Sequence, residues 1–405
     1  MSSPTTPTQR IAAKADRGSK PRANRMNECI TTTAGATAFS LAQFQCCLSY
    51  QANDPEWDAF LSATPGGSYP QSSLWARAKS ALGYRVVRVV IRKGERIVGG
   101  AQMLIRPKSI APAFGYVPRA PIMQRDHPGL AKLIIEELHQ VARTEGIQVL
   151  VVQPPAGGDG ALHALGGSGF LPCHFELAPS ATCLIDLSKS QDAIFAQMRP
   201  KTRRNIRFGE RKGVTVREGR QQDVSVFYRL LTETSRRQKF SPYPEDYYSE
   251  VWRALGPTGN VELLIAELKG EPLTALCAIA FGSTVTDWRV GWSGAYGSYH
   301  PNEVIKWAAI KWAKSQGYHY YDIGGVRRDA VEMRLCGEAM PNSLKAAVHF
   351  KVQFGGLPTL FPEASMYICN PLLRRSYLSV APKFAARALK TVINWTRRGQ
   401  FNSEK

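Results

Sequence analysis

The chain repeats itself, and the repeat restricts the possible folds more than any other feature. Residues 86–106, VVRVVIRKGERIVGGAQMLIR, form two β-rich runs joined at Lys93-Gly94-Glu95; residues 261–281, VELLIAELKGEPLTALCAIAF, form two more joined at Lys269-Gly270-Glu271. Run length, apolar content and turn chemistry make both hairpins. Further on, 130–154 carries apolar residues at helical spacing (Leu133, Ile134, Leu138, Val141), then Gly146 at the helix end and a strand at 149–153. Residues 304–325 follow suit with Ile305, Ala308, Ile310 and Ala313, then Gly317 and a strand at 318–323. Upstream, 73–83 and 247–256 are each a Trp-containing helix ending in Leu-Gly. Corresponding points stay about 171–176 positions apart, an offset that coincidental matches would not share. At 405 residues the chain has room for two ordinary domains. The expected fold class is α/β: two tandem units, each running helix, hairpin, further strand, helix, strand, with mixed sheets and flanking helices.

The partition that follows has a basic leader at 1–50, expected to be disordered. A first domain covers 51–195 and a second covers 196–365, opening on a basic helix at 198–212. A basic amphipathic tail occupies 366–405. Fifty-two Lys and Arg against 32 Asp and Glu give a formal charge of +20, which suits a polyanionic partner such as nucleic acid, an acidic membrane face or a phosphorylated substrate. The eight cysteines form no C-x-x-C and no cysteine–histidine cluster with zinc spacing, so buried free thiols in a reducing cytosol and no metal site are expected. No apolar run approaches the ~18 residues of a membrane span, and 29–53 is too rich in Thr, Ser and Gln for a signal-peptide core. The expected location is therefore cytoplasmic. The tail has no acidic residue from Ala364 to Ser403, and Phe384, Ala388, Leu389, Val392 and Trp395 form a stripe on a basic helix. Such a helix either packs on its own domain or lies on the inner face of the plasma membrane.

Three segments carry chemistry. Residues 198–220, MRPKTRRNIRFGERKGVTVREGR, set nine basic residues against Glu210 and Glu218. Lys201, Arg203, Arg204 and Arg207 are the candidates for binding phosphate or RNA, with a merely solvated basic face as the other reading. Tyr320-Tyr321-Asp322-Ile323-Gly324-Gly325 ends a strand in two glycines; these let a backbone approach a ligand closely, and a tight turn needs them equally. Residues 349–356, HFKVQFGG, read as an apolar, aromatic strand with one lysine. Alternation turns Lys351 away from Phe350 and Val352. If that face is closed the ammonium needs an anionic partner or ligand; if it is open, Lys351 is an ordinary edge lysine.

Taken in order, M-x-x-K-T-R-R-N-I-R, Y-D-I-G-G and F-K-x-x-F-G-G resemble the Fem family of tRNA-dependent aminoacyltransferases, which add amino acids to cell-wall peptide precursors. The resemblance runs over roughly 56–361, including Gln71…Trp75…Lys79, and leaves out the leader and the tail. It implies a pair of GNAT-like acyltransferase domains, in agreement with the repeat. It also implies that Lys79 contacts a substrate diphosphate, with Trp75, Tyr247 and Trp288 lining the same site. Lys351, with Phe350 before it, would stand at the reaction centre as the catalytic pair, and Asp322, Gly324 and Gly325 would face substrate. This chain has Tyr243 where a family member has a phosphate-binding arginine, and Gln153 where it has a carboxylate; both are kept as substrate-site residues. A long helical arm found in some members is missing, because 209–213 turns straight back into a strand.

The resemblance implies aminoacyl-tRNA as donor substrate, no cofactor, and a peptidoglycan precursor (nucleotide- or lipid-linked) or another small amine as acceptor. An aminoacyl ester is already activated, so placement of the partners supplies most of the rate. Lys351 is the expected stabiliser of the oxyanion. No general base stands out. Asp322 is a candidate, although a carboxylate at a strand end more often orders the following turn. The first alternative is an acyl-CoA-dependent GNAT-type N-acyltransferase. Such enzymes use a Q/R-x-x-G-x-G/A pyrophosphate loop, which neither residues 124–129 (QRDHPG) nor 299–303 (YHPNE) provide. The second is a non-catalytic RNA-binding protein, which leaves Lys351 and the Gly-Gly turns unexplained.

Overall fold

A computed structural model describes residues 28–30, 43–106, 113–125, 127–338 and 350–379. The rest of the leader and the tail beyond 379, with Phe384, Ala388, Leu389, Val392 and Trp395, lie outside the described residues, as does His349.

The repeat is real and organises two sheets. The first hairpin is β3 (Arg85–Lys93) and β4 (Arg96–Arg106). It is extended on one side by β1 (Glu28–Ile30) and β2 (Phe44–Ser49), so part of the stretch assigned to the leader is sheet; Cys46 and Cys47 on β2 are buried. β5 (Phe114–Pro118) and the short β6 (Ile122–Met123) both pair with β4. Helix α3 (Pro128–Thr144) then carries the chain across to β7 (Val149–Gln153), which lies parallel to β5, followed by β8 (Leu171–Pro172). In the second unit β9 (Ala181–Asp186) and β10 (Val214–Glu218) precede the hairpin β11 (Val261–Leu268) and β12 (Glu271–Phe281). β13 (Thr284–Trp292) is crossed over to a parallel partner, β14 (Tyr320–Asp322), by the helix Pro301–Ser315. β15 (Leu357–Leu360) pairs with β9, and β16 (Ser365–Ile368) pairs with β7 and β8. Each unit therefore has an antiparallel meander and one helix-linked parallel pair.

The sheets exchange strands across the expected boundary at 195. β9 lies on the first-domain side of it but pairs in the second sheet, while β16, at the C-terminal end, pairs in the first.

Local chemistry places the helices that matter. Asp54 caps α1 (Pro55–Ala63) through Trp57 N, 3.2 Å away, and Pro55 occupies the first helical position. Ser72 caps α2 (Ser73–Ser80) through Trp75 N at 3.1 Å. Gln71, just before it, is fully buried and donates to the Gln102 and Pro118 carbonyls at 3.0 and 2.7 Å. One side chain thus fastens the start of α2 to β4 and to the end of β5. Three large cores result: one under each sheet, and a third between the units. Trp75, Leu74 and Leu104 in that third core meet Phe227, Tyr248, Leu263 and Trp288.

Candidate active site

Asp322 ends β14, and the turn after it is tight. Its Oδ1 accepts from Gly324 N at 2.8 Å and from the Thr182 hydroxyl, while Thr182 Oγ1 also donates to Gly324 O at 3.1 Å. Gly324 has φ +76, and a Cβ there would sit 2.5 Å from the Asp287 carbonyl. Only glycine fits. Asp322 therefore orders its turn, the more ordinary of its two expected roles, and also places a carboxylate beside a lysine.

That lysine is Lys351, and it does not lie on a strand. Residues 350–352 close a helical turn, 353–354 continue into a turn, and Gly355 and Gly356 follow at φ +89 and +88 before β15 begins. The two left-handed glycines end the helix, so strand alternation does not apply. Val352 and Phe354 are buried in the second core, Phe350 packs on its edge with its ring 5.3 Å from Phe354, and Lys351 faces the D-I-G-G turn. Lys351 Nζ donates to Gly325 O at 2.9 Å. Burial lowers its pKa to about 8; the Asp322 carboxylate opposes that shift and Arg289 adds to it. Burial likewise pushes the Asp322 carboxyl up, against the hydrogen bonds from Thr182 and Gly324 and the charges of Arg119 and Lys351.

A second buried charge pair underlies the turn. Lys306, on the crossover helix, is in ion-pair contact with Asp287, and both are buried. Burial pushes the Lys306 ammonium well below the usual lysine range, with Lys351 adding to the effect. A β-bulge between Cys277 and Ala278 leaves Trp288 as the extra residue on β13, since Asp287 faces Ala278 and Arg289 faces Cys277. This places Asp287 under the turn while Trp288 joins the aromatic cluster between the units.

That cluster gathers the other expected residues. Lys79 Nζ lies 4.8 Å from the Trp75 ring centroid, 5.2 Å from Tyr243 and 5.0 Å from Tyr247. The spacings Trp75/Lys79 and Tyr243/Tyr247 are i, i+4, and α2 packs against α8 (Glu245–Leu255). Trp288 meets Trp75 edge-on at 5.6 Å. The Tyr247 hydroxyl is buried without a partner, and burial raises its pKa well above that of an ordinary tyrosine. Tyr69 joins this cluster to the turn: its ring is 5.0 Å from Trp75, and its hydroxyl feels Arg289, Asp322 and Arg119.

Gln153, at the end of β7, is buried and reaches the Pro179 carbonyl at 3.5 Å. Beside it stands a residue that sequence reasoning missed. Arg119 follows β5 at φ +54, is buried, and donates through Nη2 to the same Pro179 carbonyl at 2.6 Å. The available signal was position: β5 and β7 are parallel, and ligands gather beyond the carboxyl ends of such strands.

The basic helix α6 (Pro200–Arg211) is present, and β10 follows it directly. Its candidates divide. Lys201, Arg204 and Arg207 are exposed, whereas Arg203 turns back to cap the preceding helix through the Ala196 and Met198 carbonyls at 2.8 and 2.6 Å. Arg199 N donates to Gln353 O at 3.0 Å. A cleft of about 270 Å³ opens there between Gln197, Arg199, Arg334 and Gln353. Neither helix that links the parallel strands opens on a glycine-rich pyrophosphate loop. α3 begins with Pro128 and is capped by His127 Nδ1, 3.3 Å from Leu130 N; the crossover helix begins with Pro301. Among the described residues there is no group of His, Cys, Asp and Glu able to hold a metal.

Two units of one plan, each with a helix-linked parallel pair and joined around a shared core, define a tandem GNAT-type protein. A GNAT acetyltransferase domain model matches 196–330, and the FemAB family model matches 48–159. The chain thus resembles the FemAB family over its first unit and a GNAT acetyltransferase domain over its second. A lipid II:glycine glycyltransferase of Staphylococcus saprophyticus is 25% identical over 231 residues, covering 54% of this chain and 56% of the relative. One from Staphylococcus aureus is 23% identical over 224 residues, 53% of each. The chain thus matches about half the length of these curated relatives. The crystal structure of FemX superposes with a TM-score of 0.70 at 18% identity, covering 80% of this chain and 98% of that one. A tandem GNAT protein from the clavulanic acid biosynthesis pathway gives 0.50 at 11% identity, covering 81% and 99%. These two likenesses establish the fold.

Proposed function

We propose that the chain is an acyltransferase that moves an amino acid from aminoacyl-tRNA to an amine of a peptidoglycan precursor. The observation that carries this reading is Lys351: an ammonium held against a Gly-Gly turn, with its pKa near 8, in a chain whose first unit matches the FemAB family model. The acceptor amine attacks the ester carbonyl of the donor. The C–N bond forms, the bond to the ribose oxygen breaks, and the amine's proton leaves as the ribose hydroxyl is restored. Lys351 donates a hydrogen bond to the oxyanion formed on the way, exchanging the Gly325 carbonyl for it, and remains an ammonium throughout. Asp322 stays committed to its turn and keeps Lys351 charged. No cofactor enters.

The names of the relatives, lipid II:glycine glycyltransferases, support a peptidoglycan precursor as acceptor. The Lys79 cluster with Trp75, Tyr243, Tyr247 and Trp288 suits its diphosphate. The exposed Lys201, Arg204 and Arg207 suit tRNA phosphates. The proline helix starts, in place of a glycine-rich pyrophosphate loop, count against acyl-CoA as donor. A lipid-linked acceptor would bring the protein to the inner face of the plasma membrane from the cytoplasm. No helix among the described residues is long and apolar enough to cross a membrane. The helix Pro371–Ser379 exposes Leu372, Leu378 and Arg375, a face suited to that surface.

The test is single-turnover transfer of a labelled amino acid from aminoacyl-tRNA to lipid-linked precursor, comparing wild type with Lys351→Met. We expect a loss of about 10²–10³ in rate with an unchanged melting temperature. An unchanged rate removes Lys351 from the mechanism.

A further inference from the structure

We propose that Arg119 binds a carboxylate of the acceptor peptide and so selects acceptors that carry one; the inference rests on the aminoacyl-transfer reading. Arg119 is 8% exposed and sits at φ +54, a backbone conformation that a non-glycine residue holds only when its surroundings impose it. Its guanidinium is fixed on two sides. Nη2 donates to Pro179 O, and the guanidinium carbon lies 3.3 Å from the centroid of the Phe361 ring. Nη1 is buried and has no partner. A charged donor buried in that state within a fixed frame calls for an acceptor.

The frame aims at the reaction centre. Pro179, which holds Arg119, packs against Gly325, where a Cβ would meet the proline ring; Gly325 O in turn accepts from Lys351. Arg119, carried by the first unit, and Lys351, carried by the second, both act on the charge of Asp322. Arg119, Lys351 and Arg289 share this neighbourhood with the Asp322 carboxylate, which leaves it net positive and suited to an anion. A carboxylate is repelled by Asp322 less than a phosphate dianion. The unpartnered Nη1 carries two N–H donors, which the oxygens of a carboxylate can accept. The Tyr69 hydroxyl, within electrostatic reach of both Arg119 and Asp322, stays protonated and supplies a second donor. A carboxylate held there would present an amine of the same peptide to the carbonyl beside Lys351.

The experiment uses a soluble peptide with one lysine side-chain amine, prepared with a C-terminal carboxylate and as the C-terminal amide. Binding of each form is measured by calorimetry to wild type, Arg119→Gln and Arg119→Lys. Wild type is expected to favour the carboxylate form by about tenfold or more. The ratio should fall to near one in Arg119→Gln and to an intermediate value in Arg119→Lys, which keeps the charge without the fork. Equal affinity of wild type for the two forms overturns the proposal whether or not a variant folds. So does a ratio that persists in Arg119→Gln. Binding needs no donor, so failure of tRNA-dependent transfer and failure of this selectivity are separate results.

Discussion

Lys351 gets its chemistry from three neighbours that no short motif displays together. Gly325 takes its hydrogen bond, Asp322 keeps it charged, and burial lowers its pKa to about 8. The donor form is the ammonium, so kcat should fall as pH rises through about 8, and Lys351→Arg should lose that limb between pH 7 and 10. The stability sign is opposite. The folded pKa lies below that of the unfolded chain, so between about 8 and 10.5 the native state binds fewer protons, and this residue's contribution rises with pH. A pH–rate profile flat from 7 to 10 would separate Lys351 from the rate-limiting step. At this scale the sequence showed which lysine was unusual, because its neighbours were apolar, but not how it was aimed: two left-handed glycines convert an apparent strand into a helical end. Arg119 was harder to see, since its importance depends on Pro179 and Phe361, each distant in sequence.

At the scale of elements, α6 shows why a run of charges is not a uniform surface. The sequence groups Lys201, Arg203, Arg204 and Arg207 as phosphate binders, and the structure takes Arg203 out of the group to bond carbonyls at the helix entry. We predict that Lys201→Ala with Arg204→Ala reduces the slope of log K against log salt for RNA by about 0.7–0.9 for each phosphate the variant no longer neutralises, without changing stability. Arg203→Ala should leave the slope alone and cost about 1 kcal/mol of stability by removing two hydrogen bonds. Salt titration and thermal melts of the two variants distinguish the roles; the same slope change from Arg203→Ala would place it on the RNA. The hairpins, the crossover helices and the strand Val149–Gln153 were legible because each follows a local period and ends in a turn signal. β2 was not: Phe44–Ser49 alternates too weakly to stand apart from its polar surroundings, and its partner β3 lies some forty residues on.

For the whole molecule, the repeat announced two units, and long-range pairing then tied them together. β16 returns from the second half to lie between β7 and β8, and the third core draws on both units. A chain cut after Phe361 should therefore lose a strand from the first sheet and melt at a clearly lower temperature, or fail to fold. A cut after Ser379 should keep the described fold. Equal melting of the two would mean that β16 is dispensable. No sequence period reports such an exchange, because it depends on which sheet edge the chain finds after its last turn. The joint it creates is where the Lys79 cluster, Arg119 and Lys351 converge, one side from each unit, as the proposed reaction between two large substrates would require. The most direct measurement offers the protein both donors at once: aminoacyl-tRNA charged from a labelled amino-acid mixture, and labelled acetyl-CoA, with a lipid-linked peptidoglycan precursor as acceptor. The account predicts that label reaches the precursor from tRNA alone, whereas label arriving from acetyl-CoA instead would contradict it.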